Sequence, residues 1–376
     1  MKLPHDDVDP DGLLEYSVVF TDRSLNHMSQ RFIRTMQDMT EVLGSAYQAD
    51  HVAVVPGGGT YAMEAVARSL ASSRRCLVVR NGLFSYRWSQ ILDAGMIASE
   101  TIVCSARPVS GEHQAAWTPA PIEQVVEQIQ QQRPEVVFAP HVETASGILL
   151  PDDYIRALSQ ATHAVGGLLV LDCIASGAVW VSMRQLGVDV LLSAPQKGWS
   201  GSPGAGFVML SDAAREAVQA GASSSFALDL AKWLFIAEEY QQGRAPYHAT
   251  MPTDVLTRNA SLMQQTFDHG LEALRDAQFD LGRRIRGLLA ERGLPSVAAA
   301  GFEAPGVVVV HTDDPQLRTG ARFKEAGLQI AAGVPLHCGE SESFSTFRLG
   351  LFGLDKLNDV QGTVARFESA LDSLGI

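Results

Sequence analysis

Short apolar segments alternate with longer segments of mixed polarity along the first 210 residues of the chain. Apolar segments of this length are typical of strands that a sheet buries on both faces. Their alternation with helix-length segments predicts an α/β fold, in which helices cover both faces of a mostly parallel sheet. The strand-like segments are HVAVV (51–55), CLVV (76–79), TIVC (101–104), EVVFA (135–139), LLVLD (168–172), VDVLLS (188–193) and GFVML (206–210).

The second half of the chain has a different pattern. A long polar and apolar stretch from Thr253 to Arg292 fits one interdomain helix or two. It is followed by VVVVH (307–311), a helix-like segment around 315–326 and the strand-like FRLGLF (347–352). These segments predict a smaller α+β unit.

Length and composition fit a protein of two packed domains. The chain has 376 residues, of which 46% are hydrophobic and 19% are charged, an ordinary globular composition. We expect a large α/β domain over 1–250, and an interdomain helix with a small α+β domain over 251–376. The N-terminal segment 1–30 is expected to pack on the small domain.

The net charge of −13 argues against nucleic acid or an anionic membrane as a partner, because the phosphates would be repelled. No apolar run reaches the roughly 18 residues that span a bilayer. The opening MKLPHDDVDPDG also lacks the cationic segment and apolar run of a secretory signal. We therefore predict a cytoplasmic protein.

The cysteines and one histidine-acid pair give little sign of a metal centre. Cysteines occur at 76, 104, 173 and 338, without CxxC spacing, and buried thiols are the expected interpretation. His141 and Glu143 in HVETASG make up only one pair of possible ligands. We predict no metal site.

Two strand-like segments end in side chains of opposite charge. Asp172 closes the run from 168 to 171, and Lys197 follows the run from 188 to 194. Because ligands of open α/β folds bind at the carboxyl ends of the strands, we expect both side chains in one site. Pyridoxal phosphate needs this pair: a lysine to hold the aldehyde, and an acid to keep the pyridine nitrogen protonated. The chain has five lysines against 24 arginines, and Lys197 alone follows a strand.

A glycine-rich turn, PGGGT (56–60), follows the first strand-like segment and precedes a helix. Backbone N–H groups there favour an anion, so Gly58, Gly59 and Thr60 form a candidate phosphate site. The same turn fits a nucleotide-binding dehydrogenase or a binding protein without catalysis. Its spacing is neither GxGxxG nor a Walker loop, and Arg80 stands where a dinucleotide site has an acid.

Seven motifs in order along the chain resemble the class V aminotransferases, most closely the alanine–glyoxylate, serine–pyruvate and 2-aminoethylphosphonate branches. The resemblance implies the fold of PLP-dependent aminotransferases of fold type I, with pyridoxal phosphate (PLP) as cofactor. The motifs are PGGGTYAMEA, NGLFSYR, HVETASGILLP, LDCIASGA, SAPQKGWSGSPGAGF, YHATMPTDVL and FRLGLFG.

By this resemblance, Lys197 would bind PLP as a Schiff base and carry the proton between the substrate's Cα and the cofactor's C4′. A lysine can do so only as a free amine near neutral pH, which partial burial favours. Asp172 would pair with the pyridine nitrogen, and Phe84 would stack on the ring. Further cofactor contacts that the resemblance implies are Gly58, Gly59, Thr60, Thr144, Ile174 and Gln196.

Three more residues match positions with known roles in the family. Tyr247 and Thr250 in YHAT match residues that reach the phosphate from the neighbouring subunit, which implies a homodimer with shared sites. Arg348 in FRLG matches the arginine that binds the substrate carboxylate, a task that suits the planar guanidinium fork.

The resemblance implies a ping-pong transaminase that moves an amino group from an alanine-type or serine-type donor to a 2-oxo acid such as glyoxylate or pyruvate. One alternative is a 2-aminoethylphosphonate transaminase. Another is a cysteine desulfurase that uses Cys338, although Gln196 and Phe84 stand where desulfurases commonly have histidines. The segment EYSVVFTDRSLNHMS (15–29) departs from the family pattern and leaves the donor pocket open.

Overall fold

A computed structural model of the chain describes residues 5–376. Its strands are β1 (His51–Pro56), β2 (Arg75–Arg80), β3 (Glu100–Ser105), β4 (Arg107–Pro108), β5 (Trp117–Thr118), β6 (Val136–Pro140), β7 (Val142–Glu143), β8 (Ile148–Leu149), β9 (Leu168–Asp172), β10 (Val190–Ser193), β11 (Ala205–Leu210), β12 (Val307–His311), β13 (Ala331–Ala332) and β14 (Thr346–Gly350). Its helices are α1 (Gln30–Tyr47), α2 (Gly59–Leu70), α3 (Leu83–Ala94), α4 (Ile122–Gln132), α5 (Asp152–Ala164), α6 (Met183–Leu186), α7 (Asp212–Ala220), α8 (Leu230–Gln241), α9 (Thr253–His269), α10 (Leu271–Glu291), α11 (Pro315–Thr319), α12 (Ala321–Glu325), α13 (Leu354–Asn358) and α14 (Val360–Ser373).

The large sheet has seven strands in the order β1-β11-β10-β9-β6-β2-β3. The neighbours from β10 to β3 all pair in parallel, which confirms the predicted mostly parallel sheet. Strand β11 runs antiparallel to both β10 and β1. Strand β1 therefore points the same way as β10, and the carboxyl ends of β1, β2, β6, β9 and β10 share one edge.

The alternation of strands and helices did not predict the reversed direction of β11. Only residues 194–204 separate β10 from β11, and this stretch contains no helix. A parallel return needs a crossover of a dozen or more residues, usually a helix, whereas an antiparallel return needs only a short connection. The short, helix-free connection therefore accounts for the antiparallel strand.

Helices on both faces enclose the sheet, whose central strands are fully buried. Helix α1 starts where the Ser29 hydroxyl accepts a hydrogen bond from the N–H of Phe32 at 3.0 Å, a typical N-cap. Its apolar face buries Phe32, Met36 and Met39 against the large-domain core. This packing fixes the sheet as a rigid base for the loops at its edge.

A second sheet has three antiparallel strands in the order β12-β14-β13 and packs against α10, which in turn packs against α14. We call this part of the chain the small domain. The stretch from Thr253 to Arg292 forms two helices because Gly270, with a φ of +97°, separates α9 from α10. Gly320, with a φ of +78°, likewise divides the segment around 315–326 into α11 and α12. Both breaks lie in the left-handed region that favours glycine.

The described part of the N-terminal segment is fixed to α8 and to the first turn of α9. The N–H of Leu25 donates to Oδ1 of Asp254 at 3.0 Å, and the Tyr240 hydroxyl donates to the carbonyl of His27 at 3.0 Å. The packing of segment 1–30 on the small domain stays a prediction. Within residues 5–376, no helix combines the length and the apolarity that crossing a membrane requires.

Candidate active site

The loops at the carboxyl edge of the large sheet carry the residues that the sequence singled out. The glycine turn follows β1, Phe84 lies in the helix after β2, Thr144 follows β6 by a few residues, Asp172 ends β9, and Lys197 lies in the turn after β10. Because these strands run in the same direction, their ends bring the residues to one edge.

The glycine turn after β1 leaves the start of α2 open. Gly57 has a φ of +118°, a left-handed conformation that suits glycine. At Gly59 a Cβ would approach Cδ1 of Ile174 to 2.6 Å, whereas a Cβ at Gly58 would meet nothing within 4 Å. Gly58 is the N-cap of α2 and makes no side-chain cap. Within residues 5–376 the N–H groups of Gly58, Gly59 and Thr60 donate no hydrogen bond, an arrangement that favours anions.

Arg87 faces this turn from α3. Its Nη1 donates to Oγ1 of Thr60 at 3.0 Å, and its guanidinium carbon lies 5.2 Å from the centre of the Phe84 ring. From the sequence alone, Arg87 has no predicted role. The signal was present, because Arg87 follows Phe84 by three residues and such positions share a helix face.

Asp172 places a buried carboxylate at the end of β9. The residue is 9% exposed, and its Oδ1 accepts a hydrogen bond from the N–H of Ile174 at 3.0 Å. The pKa of Asp172 is raised from 3.8 to about 6, chiefly by burial and also by the negative charge of Glu143, while the hydrogen bond from Ile174 lowers it. The positive charges of Arg87 and Lys197 lower it too. Asp172 thus lies within electrostatic reach of both cations.

Lys197 lies half-buried in the turn after β10, with Nζ 5.3 Å from the centre of the Phe352 ring. The next residue must be small, because a Cβ at Gly198 would overlap the backbone of Gly177. Burial lowers the pKa of Lys197, as does the nearby charge of Arg348, while Asp172 raises it. The net decrease makes the free amine more available near neutral pH than in an exposed lysine.

Arg348 enters the site from the small domain. Its Nε donates to the carbonyl of Ala332 at 2.8 Å, and its Nη1 lies 3.5 Å from the carbonyl of Thr144 in the large domain. Its guanidinium carbon is 5.5 Å from the centre of the Phe84 ring. Burial lowers the pKa of Arg348, and the charge of Glu143 partly offsets this.

Glu143 fixes the start of α3 from beneath the site. Its fully buried carboxylate accepts hydrogen bonds from the N–H groups of Phe84, Ser85 and Ala145 and from the Ser85 hydroxyl, at 2.7–3.2 Å. Burial nevertheless raises the pKa of Glu143. The residue therefore supports the backbone of Phe84.

Among residues 5–376, no group of three or more His, Cys, Asp or Glu side chains could bind a metal ion.

Three residues that sequence analysis assigned to the phosphate are exposed. Gln196 extends into solvent beside Lys197. The hydroxyls of Tyr247 and Thr250 lie 2.9 Å apart, and the Tyr247 ring packs edge-on against His27. No hydrogen bond in the described chain connects Tyr247 or Thr250 to the glycine turn.

Cys338 lies in the loop between β13 and β14. Its Sγ is 3.5 Å from the carbonyl of Arg80 and 3.7 Å from that of Leu336. Burial raises the pKa of the Cys338 thiol to about 12, and the charges of Glu340 and Glu143 raise it too. The thiol is therefore protonated at neutral pH, unlike a nucleophilic cysteine.

The profile of the family "Aminotransferase class-V" matches residues 13–246. The 2-aminoethylphosphonate–pyruvate transaminase 1 of Burkholderia lata is 30% identical over 342 residues, which cover 89% of this chain and 87% of that protein. The 2-aminoethylphosphonate–pyruvate transaminase of Paraburkholderia phymatum is 31% identical over 362 residues, 94% of this chain and 90% of that protein.

Solved structures of aminotransferases share the fold. The alanine–glyoxylate aminotransferase of Nostoc sp. superposes with a TM-score of 0.78 at 21% identity, covering 93% of this chain and 89% of that one. The pyridoxamine–pyruvate aminotransferase of Mesorhizobium loti superposes with a TM-score of 0.76 at 18% identity, covering 94% and 87%. At these identities the likeness concerns the fold.

Proposed function

Because the chain belongs to the class V aminotransferases, we propose that it is a PLP-dependent transaminase that transfers an amino group from a small amino acid to a 2-oxo acid. The observation that carries this proposal is the pairing of Asp172 and Lys197. Asp172 ends β9, Lys197 follows the neighbouring parallel strand β10, and each residue shifts the pKa of the other. A nucleotide-binding protein has no use for this pair.

The residues at the sheet edge fit pyridoxal phosphate. The open N–H groups at the start of α2 suit its phosphate, and the space over Gly58 leaves them accessible. The carboxylate of Asp172 suits a protonated pyridine nitrogen, and the amine of Lys197 suits the aldehyde. When bound, the cofactor supplies an electron sink for the bonds at the substrate's Cα.

The chain's own residues then have distinct tasks. Lys197 Nζ takes the proton from the substrate's Cα and returns it on the product side, which its lowered pKa favours. Asp172 supplies a fixed negative charge beneath the site. Phe84 presents a flat ring to the cofactor. Glu143 fixes the backbone at this position by accepting hydrogen bonds from the N–H groups of Phe84 and Ser85.

Arg348 is the proposed binding residue for the substrate's anionic group. Its guanidinium fork fits a carboxylate, as in alanine, serine, glyoxylate and pyruvate. A phosphonate offers the same oxygen geometry, and relatives at 30–31% identity are named as 2-aminoethylphosphonate–pyruvate transaminases. 2-Aminoethylphosphonate is therefore the second candidate donor.

Half-reaction spectroscopy tests both levels of the proposal. Protein reconstituted with PLP should show a visible absorption band that borohydride removes, leaving the cofactor covalently attached to Lys197. Alanine, serine and 2-aminoethylphosphonate are then added one at a time, and the true donor should bleach the band. Glyoxylate or pyruvate should restore it. A protein that stays colourless with PLP would contradict the cofactor, whereas a band that no donor bleaches would contradict only the donor class.

We also propose a homodimer in which Tyr247 and Thr250 reach the partner's phosphate site. Their exposure, and the exposed ring of Tyr61 beside the glycine turn, support a covered face here. Mixing the inactive variants Lys197→Ala and Tyr247→Ala should restore activity, because hybrid dimers regain one site with both residues intact. If Tyr247 served its own chain, the mixture would stay inactive.

A further inference from the structure

The glycine turn alone balances too little of the charge that a bound phosphate brings. A helix N-terminus carries about half a positive charge. A phosphate monoester carries roughly −1.5 to −2 near neutral pH. Residues 56–60, PGGGT, contain no charged side chain. The remaining charge calls for a cation that is fixed beside the turn.

Arg87 is fixed in that position by two contacts. One is the hydrogen bond from Nη1 to Oγ1 of Thr60, and the other is the ring of Phe84 against its guanidinium. The hydrogen bond to Thr60 is the only one that this guanidinium makes within residues 5–376. A guanidinium has five N–H donors, so most of its donors remain free for an incoming anion.

Arg80, the last residue of β2, reaches the same edge of the sheet but is engaged elsewhere. Arg80 donates to the carbonyl of His337 and to the Ser89 hydroxyl, and it stacks on the Tyr86 ring. Its contacts are with α3 and with the loop before β14 rather than with the glycine turn. Arg87 is thus the basic side chain that the described contacts connect to Thr60.

We propose that Arg87 is a phosphate-binding residue of the cofactor site, which acts together with the N–H groups of Gly58, Gly59 and Thr60. This inference rests on the proposed function. Arg87 adds the missing positive charge, and its bond to Thr60 aligns the fork with the open end of α2. Its contact with Phe84 connects the phosphate end of the site to the residue proposed to stack on the ring.

Cofactor affinity is the direct test, measured by absorption titration of cofactor-free protein. Arg87→Gln removes the charge and should weaken PLP binding roughly tenfold to a hundredfold, the effect of losing a hydrogen bond to a charged group. Arg87→Lys keeps the positive charge without the guanidinium fork, so it should lose less PLP affinity than Arg87→Gln. The matched control is Arg68→Gln, which removes a cation at the other end of α2, where Arg68 pairs with Glu64.

The phosphate itself is isolated by two further probes. Pyridoxal lacks the phosphate, so its affinity should be nearly the same for the wild type and Arg87→Gln. Inorganic phosphate should raise the melting temperature of the cofactor-free wild type and of Arg68→Gln more than that of Arg87→Gln. Circular dichroism melting of each variant without ligand checks that it folds. If Arg87→Gln does not fold, Arg87→Lys replaces it in the comparison with the wild type.

The outcomes separate this inference from the proposed function. Equal PLP affinities of the wild type and Arg87→Gln would overturn the role of Arg87, and so would an equal loss for PLP and pyridoxal, which indicates a structural effect. A wild type that binds no PLP would instead overturn the proposed function. A selective loss for PLP, with the phosphate response reduced, supports the assignment.

Discussion

Two arginines approach the ring of Phe84 from different domains. Arg87 comes from α3 in the large domain, at 5.2 Å, and bonds to the side chain of Thr60 beside the glycine turn. Arg348 comes from β14 in the small domain, at 5.5 Å, and donates to backbone carbonyls on both sides of the domain boundary. The side of the site with Arg87 and the glycine turn, which we call the single-sheet side, is therefore built at the edge of one sheet. The side with Arg348, which we call the two-domain side, depends on how two domains meet.

This difference predicts a division of labour. The single-sheet side consists of strand ends whose positions are fixed by buried parallel pairing, which suits a cofactor that stays in place. The two-domain side ends in one long side chain, which suits substrates that enter and leave in each half-reaction. Variants on the first side should change cofactor chemistry, and variants on the second should change substrate affinity.

The largest effect is expected for Lys197→Ala on the single-sheet side. Losing the amine that moves the Cα proton should lower kcat by roughly 10²- to 10⁴-fold or more. The measurements are steady-state transamination and mass spectrometry after borohydride, where cofactor attached at 197 should disappear. The matched control is Lys232→Ala, an exposed residue of α8, which should behave as the wild type. Substantial activity in Lys197→Ala would contradict the assignment of cofactor chemistry to the single-sheet side.

Arg348→Gln tests the two-domain side. Loss of a charge-assisted pair to the substrate anion should raise KM by roughly tenfold to a hundredfold, with the visible band of the bound cofactor unchanged. Exposed Arg283 serves as the control through Arg283→Gln. A variant whose PLP affinity falls as much as its substrate affinity would break the division between the two sides.

Asp172→Asn tests whether the carboxylate on the single-sheet side is buried, because burial of a carboxylate makes the free energy of unfolding depend on pH. The pKa of Asp172 is raised from 3.8 to about 6, so the folded state binds this proton more tightly than the unfolded state does. Below about pH 3 both states are mostly protonated, and the group makes little difference. As pH rises from 3 to above 6, the wild type without cofactor should lose roughly 2–3 kcal/mol of stability relative to Asp172→Asn, although the variant's activity falls.

Denaturant melts of both cofactor-free proteins between pH 3 and pH 7 measure this difference. The wild type should lose stability relative to the variant across that window. A difference that stays constant with pH would show that the carboxylate is not penalised by burial.

The sequence predicted the single-sheet side well because its residues follow strands directly. Asp172 is the last residue of β9, as the run LLVLD indicated, and Lys197 follows β10 by one short turn. The glycine turn lies between β1 and α2, where PGGGT predicted it. In each case the apolar run fixed the strand, and the strand fixed the position of the next polar residue.

Features that depend on contacts between distant parts of the chain were harder to predict from the sequence. The bond from Arg87 to Thr60 joins two helices, and the four hydrogen bonds of Glu143 join β7 to the start of α3. From the sequence alone, Glu143 is only a weak candidate for a metal ligand, because nothing local distinguishes an exposed acid from one that caps a distant helix. The reversed direction of β11 depended on the length of a loop rather than on any residue.

The smallest effect is expected for Cys338→Ser, which tests whether the two-domain side contributes chemistry besides Arg348. A thiol with its pKa raised to about 12 by burial is protonated near neutral pH and is a poor nucleophile. Transaminase rates of the variant should therefore stay within about twofold of the wild type, and neither protein should release sulfide from cysteine. Sulfide release by the wild type that Cys338→Ser abolishes would favour the desulfurase alternative instead. It would also mean that the loop between β13 and β14 moves enough to expose the thiol, so that the two-domain side supplies a nucleophile as well as an anion-binding residue.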